Sequence, residues 1–264
     1  MSADPFIEVP GFPPLPVLHE DPRCLAIDKP PGLPCTAAEA AHGQPHLEGL
    51  LEQAIATRPP WAQARGLSTL RVVRSLDPEI GGILLLARTP GSRLALAGAL
   101  QERRTLAEYI AVIGGKPPKR RWTCCLKIRP DPDHPGRVLT HTRQGQFAET
   151  DFEVAAHGEG MALLVARPHT HRSHQIRAHL AAVGLPILGD TLYGFGRQTV
   201  VRQHGRIPKP APPPTRTRTP PLALRAVRLA FACPFHRETL DLRASFDAFL
   251  ADYGFGVLEQ PAED

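Results

Sequence analysis

From Leu15 the chain reads LPVLHEDPRCLAIDKPPGLP, two short apolar runs divided by Glu20-Asp21-Pro22 and closed by Lys-Pro-Pro-Gly. That pattern predicts a strand, a turn, a second strand over Cys24–Asp28 and a second turn. Leu47, Leu50, Leu51 and Ile55 recur at helical spacing and predict a helix within 45–58. Residues 69–75 and 83–87 read as two strands joined by Leu76-Asp77-Pro78-Glu79-Ile80-Gly81-Gly82. Ser92 is the predicted cap of a helix that runs to about Arg104. A strand over Leu106–Ile113 ends at Gly114-Gly115, and several short strands follow through residue 167, with turns at 130–136 and 157–160. Ser173 is the predicted cap of a helix over His174–Val183, which Gly184 stops. Pro186–Leu188 is apolar and extended. Residues 222–243 read as two last strands about a turn at 234–237, and 245–253 as a closing helix. Strands dominate, and helices are interspersed without regular βαβ alternation. The class is therefore α+β with a mixed, mostly antiparallel sheet. One domain over 15–253 is expected, preceded by a loosely held Pro-rich arm, 1–14, and followed by a tail, 254–264. Within it, residues 195–221 are rich in Gly, Pro and Arg with few large apolar side chains, and read as an inserted loop.

Composition narrows the class. The chain has 264 residues, 42% hydrophobic and 22% charged, which is ordinary for a globular protein and long enough to bury a core. The longest apolar run, Gly81 to Ala87, is far too short for a bilayer span. The opening MSADPFIEVPGF has neither the charge nor the apolar run of a signal peptide. A cytoplasmic protein with no membrane partner is expected. Five cysteines without a C-x-x-C pair are expected to be reduced thiols, mostly buried in strands. The formal net charge is +5, but it is uneven: residues 103–143 hold ten Lys and Arg against three acids, and residues 195–228 hold eight against none. Such segments suit a surface that follows a polyanion backbone, and they equally suit solvated loops.

Three positions carry candidate chemistry. Asp77 sits between two apolar strands on a turn with a proline and two glycines; it is either a turn residue or a carboxylate presented where a substrate can approach closely. Arg177 lies in a helical pattern whose core stripe is Ile176, Leu180 and Val183; it is either a boundary surface residue or a guanidinium held for a carboxylate or phosphate. Tyr109 alternates with Ala107, Ala111 and Ile113 on one strand face, which suits core packing or a pocket wall that stacks on a base. His169, His171, His174 and His179 form the one histidine cluster; they lack metal-ligand spacing, and Arg172 and Arg177 lie among them, so no metal is expected.

Together these residues resemble the RluA-type family of RNA pseudouridine synthases, from about Val17 to Phe249. PVLHEDPRCLAIDKPPGL resembles the family's opening strands and their Lys-Pro-x-Gly turn. VVRSLDPEIGGILLLART resembles the block H-R-L-D-x-x-T-S-G-L-L-L, and AEYIAVIGG resembles K-x-Y-x-A-x-V-x-G. RPHTHRSHQIRAHLAAVGLPILGDTLYG resembles G-R-T-H-Q-I-R-x-H-L and is the longest and most specific block, while LALRAVRLAFACPF resembles the final strand pair. The resemblance implies a bent sheet flanked by helices, with no cofactor and no metal. It also implies isomerisation of a uridine in ribosomal or transfer RNA by a monomer. Asp77 falls on the nucleophile, Tyr109 on the pocket tyrosine and Arg177 on the arginine that pairs with the nucleophile. Expected RNA contacts are Arg74, Arg172, His174 and Gln175, with Arg197, Arg202, Arg216 and Arg218 of the basic loop. Three departures stand out: Ser75 replaces the family's usual Arg two residues before the aspartate, Ile80-Gly81 replaces Thr-Ser after it, and Ala107 replaces Lys. In a regular strand Arg74 would face away from the position of Ser75 and could not take over. These departures keep a second reading open, an RNA-binding protein on the same fold with reduced catalysis. A metal hydrolase built on the 169–179 histidines is a third.

Overall fold

The computed structural model describes residues 5–41, 43–141, 143–194 and 221–256. In chain order its elements are β1 (Phe6–Ile7), β2 (Leu15–Glu20), β3 (Cys24–Lys29), α1 (Leu47–Ala56), α2 (Pro60–Ala64), β4 (Arg71–Val72), β5 (Gly81–Ala87), α3 (Pro90–Ala99), β6 (Leu106–Gly114), β7 (Arg121–Pro130), β8 (Val138–His141), β9 (Gln146–Gly158), β10 (Met161–Pro168), α4 (Gln175–Ala182), β11 (Leu224–Ala232), β12 (Thr239–Arg243) and α5 (Asp247–Asp252). The class is α+β, a mixed, mostly antiparallel strand arrangement with few helices. Where one domain was expected, two compact units form: Met1–Ala107 with Ala226–Ala244, and Glu108–Arg225 with Ser245–Asp264.

In the first unit the strands run β1-β2-β3-β5-β11, with β12 beside β11 and β4 beside β5. All seven residues of β5 are buried, as a continuous apolar run requires when strands flank it on both sides. The β3–β5 register runs from Cys24↔Ala87 to Lys29↔Gly82. Ile83, Leu85 and Ala87 of β5 pack with Cys24 and Ala26 of β3, Leu96 of α3, Leu100 just after that helix, Phe231 and Leu242. Helix α3 begins earlier than Ser92. Thr89 is its cap and Pro90, with its fixed φ, opens the first turn. Ser92 is the third helical residue, and Thr89 and Ser92 bond each other's backbone N–H in a capping box. The helix ends at Ala99, whose carbonyl accepts from Thr105 Oγ1 at 2.9 Å, short of the predicted Arg104. The N-terminal arm is not loose over its described part, since Phe6 and Ile7 pair with Pro16 and Leu15, and Ile7 and Val9 are buried.

The second unit is a run of neighbouring strands, β6-β10-β9-β7-β8. Three are longer than the predicted short strands: β7 has 10 residues, β9 has 13 and β10 has 8. Strand β9 alternates strictly, burying Ala148, Thr150, Phe152 and Val154 while Glu149, Asp151 and Glu153 face outwards. Ile128, Val138 and Ala148 pack under Ala178 and Ala181 of α4 and under Tyr193. The predicted tail is ordered at its start: Phe255 is buried, with Gly158 beside its ring. All five cysteines are free; four are buried and Cys125 is exposed, but Cys35 and Cys233 lie outside the strands.

Candidate active site

Asp77 stands on a β-turn in which Ile80 N–H donates to the Asp77 carbonyl at 2.9 Å and Pro78 holds the second position. The turn is fixed from the Lys-Pro-Pro-Gly segment. Gly32 N–H donates to the Pro78 carbonyl at 2.8 Å, with Gly32 at φ 86 where a side chain would be strained. Lys29 has no exposed surface, and its Nζ donates to the carbonyls of Pro30 at 3.1 Å, Leu33 at 2.8 Å and Pro78 at 3.1 Å. Burial lowers the Lys29 pKa to about 8, against the opposing pull of Cys35, Glu39, Asp77 and Glu79. Cys35 completes the clamp, its thiol donating to the Leu76 carbonyl at 3.4 Å. The half-buried carboxylate of Asp77 therefore projects from a backbone tied on both sides, with a buried ammonium bonded to the next residue. Lys29 was not among the residues singled out for chemistry; its sign in the sequence is a lysine that ends an apolar strand immediately before two prolines.

The paired glycines after Asp77 serve packing. At Gly82 φ is 114, and a Cβ there would lie 2.0 Å from the Ala226 carbonyl oxygen, so Gly82 admits the backbone of β11. Strand β4 ends at Val72, and the backbone at Val73–Leu76 is not strand. The alternation expected between Arg74 and Ser75 therefore does not hold there. Arg74 is half-buried and donates to the Leu100 carbonyl, while Ser75 is exposed.

Tyr109 lies in the second unit on β6, half-buried and opposite Ala166 of β10. Arg177 is on α4 in the same unit and is a buried residue with 1% exposure, so the boundary surface reading is excluded. Its Nε and Nη2 donate to Asp190 Oδ2 and Oδ1, both at 2.9 Å, a bidentate pair. Asp190 Oδ1 also accepts from the N–H groups of Leu192 and Tyr193, each at 3.0 Å. The guanidinium lies 5.4 Å from the centre of the Tyr193 ring. Tyr193 Oη accepts from Val138 N–H and bonds His174 Nδ1, both at 2.8 Å. Asp190 and Tyr193 were missed as partners of Arg177. Their signal is Gly-Asp-x-x-Tyr, an acid in an apolar stretch followed by backbone N–H groups that it can accept from.

The entry to α4 also differs from expectation. Ser173 is not the cap; His174 holds that place at φ 52, ψ 23 without a capping side-chain bond. Gln175 ties the loop instead. Its Oε1 accepts from Thr170 Oγ1 and Arg172 N–H, and its Nε2 donates to the Glu149 carbonyl and Thr150 Oγ1. That uses both donors and both lone pairs of a buried amide, so Gln175 fastens the loop. Arg172 is exposed, with its guanidinium on the Phe147 and His171 carbonyls. His169 bonds Asp151 at 2.7 Å, and buried His179 bonds Thr150 Oγ1 at 3.0 Å. Arg197, Arg202, Arg216 and Arg218 lie outside the described residues.

The family model for RNA pseudouridylate synthase matches residues 23–182. An uncharacterised RNA pseudouridine synthase of Zymomonas mobilis is 34% identical over 182 residues, 67% of this chain and 78% of that protein. The dual-specificity RNA pseudouridine synthase RluA of Escherichia coli K12 is 27% identical over 240 residues, 90% of this chain and 96% of that protein. Among solved structures, human RNA pseudouridylate synthase domain containing 4 superposes with a TM-score of 0.65 at 22% identity, covering 89% of this chain and 91% of that one, which shows a shared fold. The match spans the Asp77 turn, Tyr109 and α4, and the chain belongs to the RluA-type family of RNA pseudouridine synthases, isomerases that make pseudouridine in RNA.

Proposed function

We propose that the chain converts a specific uridine of a structured ribosomal or transfer RNA to pseudouridine, acting as a cytoplasmic monomer with Asp77 as nucleophile. Among the described residues no helix is long and apolar enough to cross a membrane. The observation that carries the reading is the carboxylate of Asp77 on a turn clamped by Lys29 and Gly32, within the block that resembles the family's nucleophile motif. In the reaction the bond between C1′ and N1 breaks, the uracil turns, C5 bonds to C1′, and N1 regains the proton that C5 loses. The target base must first leave its stack, at a cost of a few kcal/mol. Contacts from cationic side chains to phosphates offset that cost and make binding salt-dependent. Arg74, Arg172 and His174, with the arginines of 195–221, are the side chains proposed for this task. Arg177, its plane set by Asp190, takes part in catalysis alongside Asp77 in this reading. Tyr109 stacks on the flipped uracil and takes part in removing the C5 proton.

The test is tritium release from RNA carrying 5-tritiated uridine, using unmodified transfer and ribosomal transcripts with the wild type and Asp77→Asn. Release by the wild type alone, with RNA binding retained in the variant, is the expected result. Release by Asp77→Asn removes Asp77 as nucleophile. Binding without release by either protein favours an RNA-binding role, for which the exposed Ser75 is the motivating departure.

A further inference from the structure

His19 on β2, Asp21 in the turn that follows and Cys24 at the start of β3 lie together, and the turn between β11 and β12 carries His236. Their donor atoms converge on one oxygen. Asp21 Oδ2 lies 3.2 Å from His19 Nε2, 3.3 Å from Cys24 Sγ and 3.9 Å from His236 Nε2. The donor atoms of His19, Asp21 and Cys24 all lie within 4.8 Å of one another. A tetrahedral zinc ion with bonds of about 2.0–2.3 Å holds its ligand atoms about 3.3–3.6 Å apart. We infer that His19, Asp21 and Cys24 form a three-ligand site for a zinc-type divalent ion, and that the exposed His236, whose Nε2 already lies 3.9 Å from Asp21 Oδ2, swings in as the fourth ligand and fastens the β11–β12 turn to the site.

The surroundings suit this assignment. Asp21 Oδ1 accepts the N–H groups of Arg23 at 2.6 Å and Cys24 at 2.8 Å, which fixes the carboxylate and leaves Oδ2 to the convergent side chains. Nearby, Glu20 pairs with Arg65 at 2.8 Å and with Arg88 at 3.5 Å. Two imidazoles, a carboxylate and a thiolate make a borderline-soft donor set that selects zinc over magnesium or calcium. Cys24 is fully buried while the His236 side chain is 56% exposed, so the ion has a floor and a way in. Without metal the Cys24 thiol donates to Asp21 Oδ2. The site lies outside the residues assigned to pseudouridine formation and serves unit stability whichever way the tritium assay falls.

The full chain, made without a histidine tag and stripped with a chelator, is titrated with cobalt(II) and then with zinc. One equivalent of cobalt is expected to give intense visible bands of a tetrahedral ion and a near-ultraviolet thiolate-to-cobalt band. Zinc abolishes both and raises the melting temperature. Cys24→Ser removes the thiolate band, and His236→Gln, an exposed change that leaves the fold intact by circular dichroism, weakens zinc binding about tenfold or more. Absence of the thiolate band in the wild type overturns the assignment. So does its persistence in Cys24→Ser, or wild-type zinc affinity in His236→Gln.

Discussion

Arg177 and Asp190 make a buried ion pair whose two halves have separable tasks, and a double-mutant cycle separates them. Asp190→Asn keeps an acceptor for the N–H groups of Leu192 and Tyr193 but withdraws the charge that faces Nε and Nη2 of Arg177. Both side chains are essentially sealed from water, at 1% and 0% exposure, so solvent cannot replace the lost partner. Breaking such a pair from one side costs about 3–5 kcal/mol. At about 2–4 °C per kcal/mol for a chain of this size class, the melting temperature falls by about 6–20 °C. Arg177→Met together with Asp190→Asn removes the stranded charge, and stability is expected to return to within about 1–2 kcal/mol of wild type, because replacing both partners of a buried pair is often neutral. If Arg177 takes part in catalysis as proposed, turnover does not return, because the guanidinium is gone. The measurements are thermal melts and tritium release on wild type, both singles and the double. A single Asp190→Asn that costs less than about 1 kcal/mol refutes the buried pair. A stable double variant with wild-type turnover refutes the proposed part of Arg177 in catalysis.

His179 gives the molecule a stability that declines in mild acid. Burial, only slightly offset by the Leu126 backbone, lowers its pKa from 6.5 to about 4, so the unfolded chain binds the extra proton first. Its contribution is whole above pH 6.5 and is lost as pH falls toward 4, reaching about 2 kcal/mol at pH 5. Urea unfolding at pH 7.5 and pH 5 checks this: the wild type should lose about 2 kcal/mol more than His179→Gln, and equal losses contradict it. Gly82→Ala places a Cβ against the Ala226 carbonyl at an unfavourable φ and is expected to cost about 4 kcal/mol or more, read by melting temperature. A variant as stable as wild type would mean that β11 does not approach that closely.

How far the sequence discloses the molecule depends on the range of the interactions involved. The strands and helices with clean periodicity, such as Cys24–Lys29 and Leu47–Ala56, are legible because local pattern and burial agree. The helix starts were misread at Ser92 and Ser173 for one shared reason. A serine is a good cap in isolation, but Pro90 set the frame one turn earlier in the first case, and the side chain of Gln175 fastened the approach in the second. The turn at Asp77 was legible from Pro78 and its glycines. Its fastening was not, because Lys29 bonds a carbonyl 49 residues away. The same holds for Asp190, whose partner is a helix residue that periodicity alone leaves on a boundary. A two-unit division is likewise invisible in a chain whose second apolar segment returns, at β11 and β12, to complete the first unit.

Lys29 faces three carbonyl oxygens, and only a protonated amine has three hydrogens to offer them. Above pH 8 the nitrogen carries two hydrogens and a lone pair, and one of the three oxygens must then meet that lone pair. Arginine cannot stand in, since its donors spread in a flat fork while these acceptors gather around a single atom. One of the ties on the segment that bears Asp77 thus depends on a single proton, which is given up as pH rises through about 8.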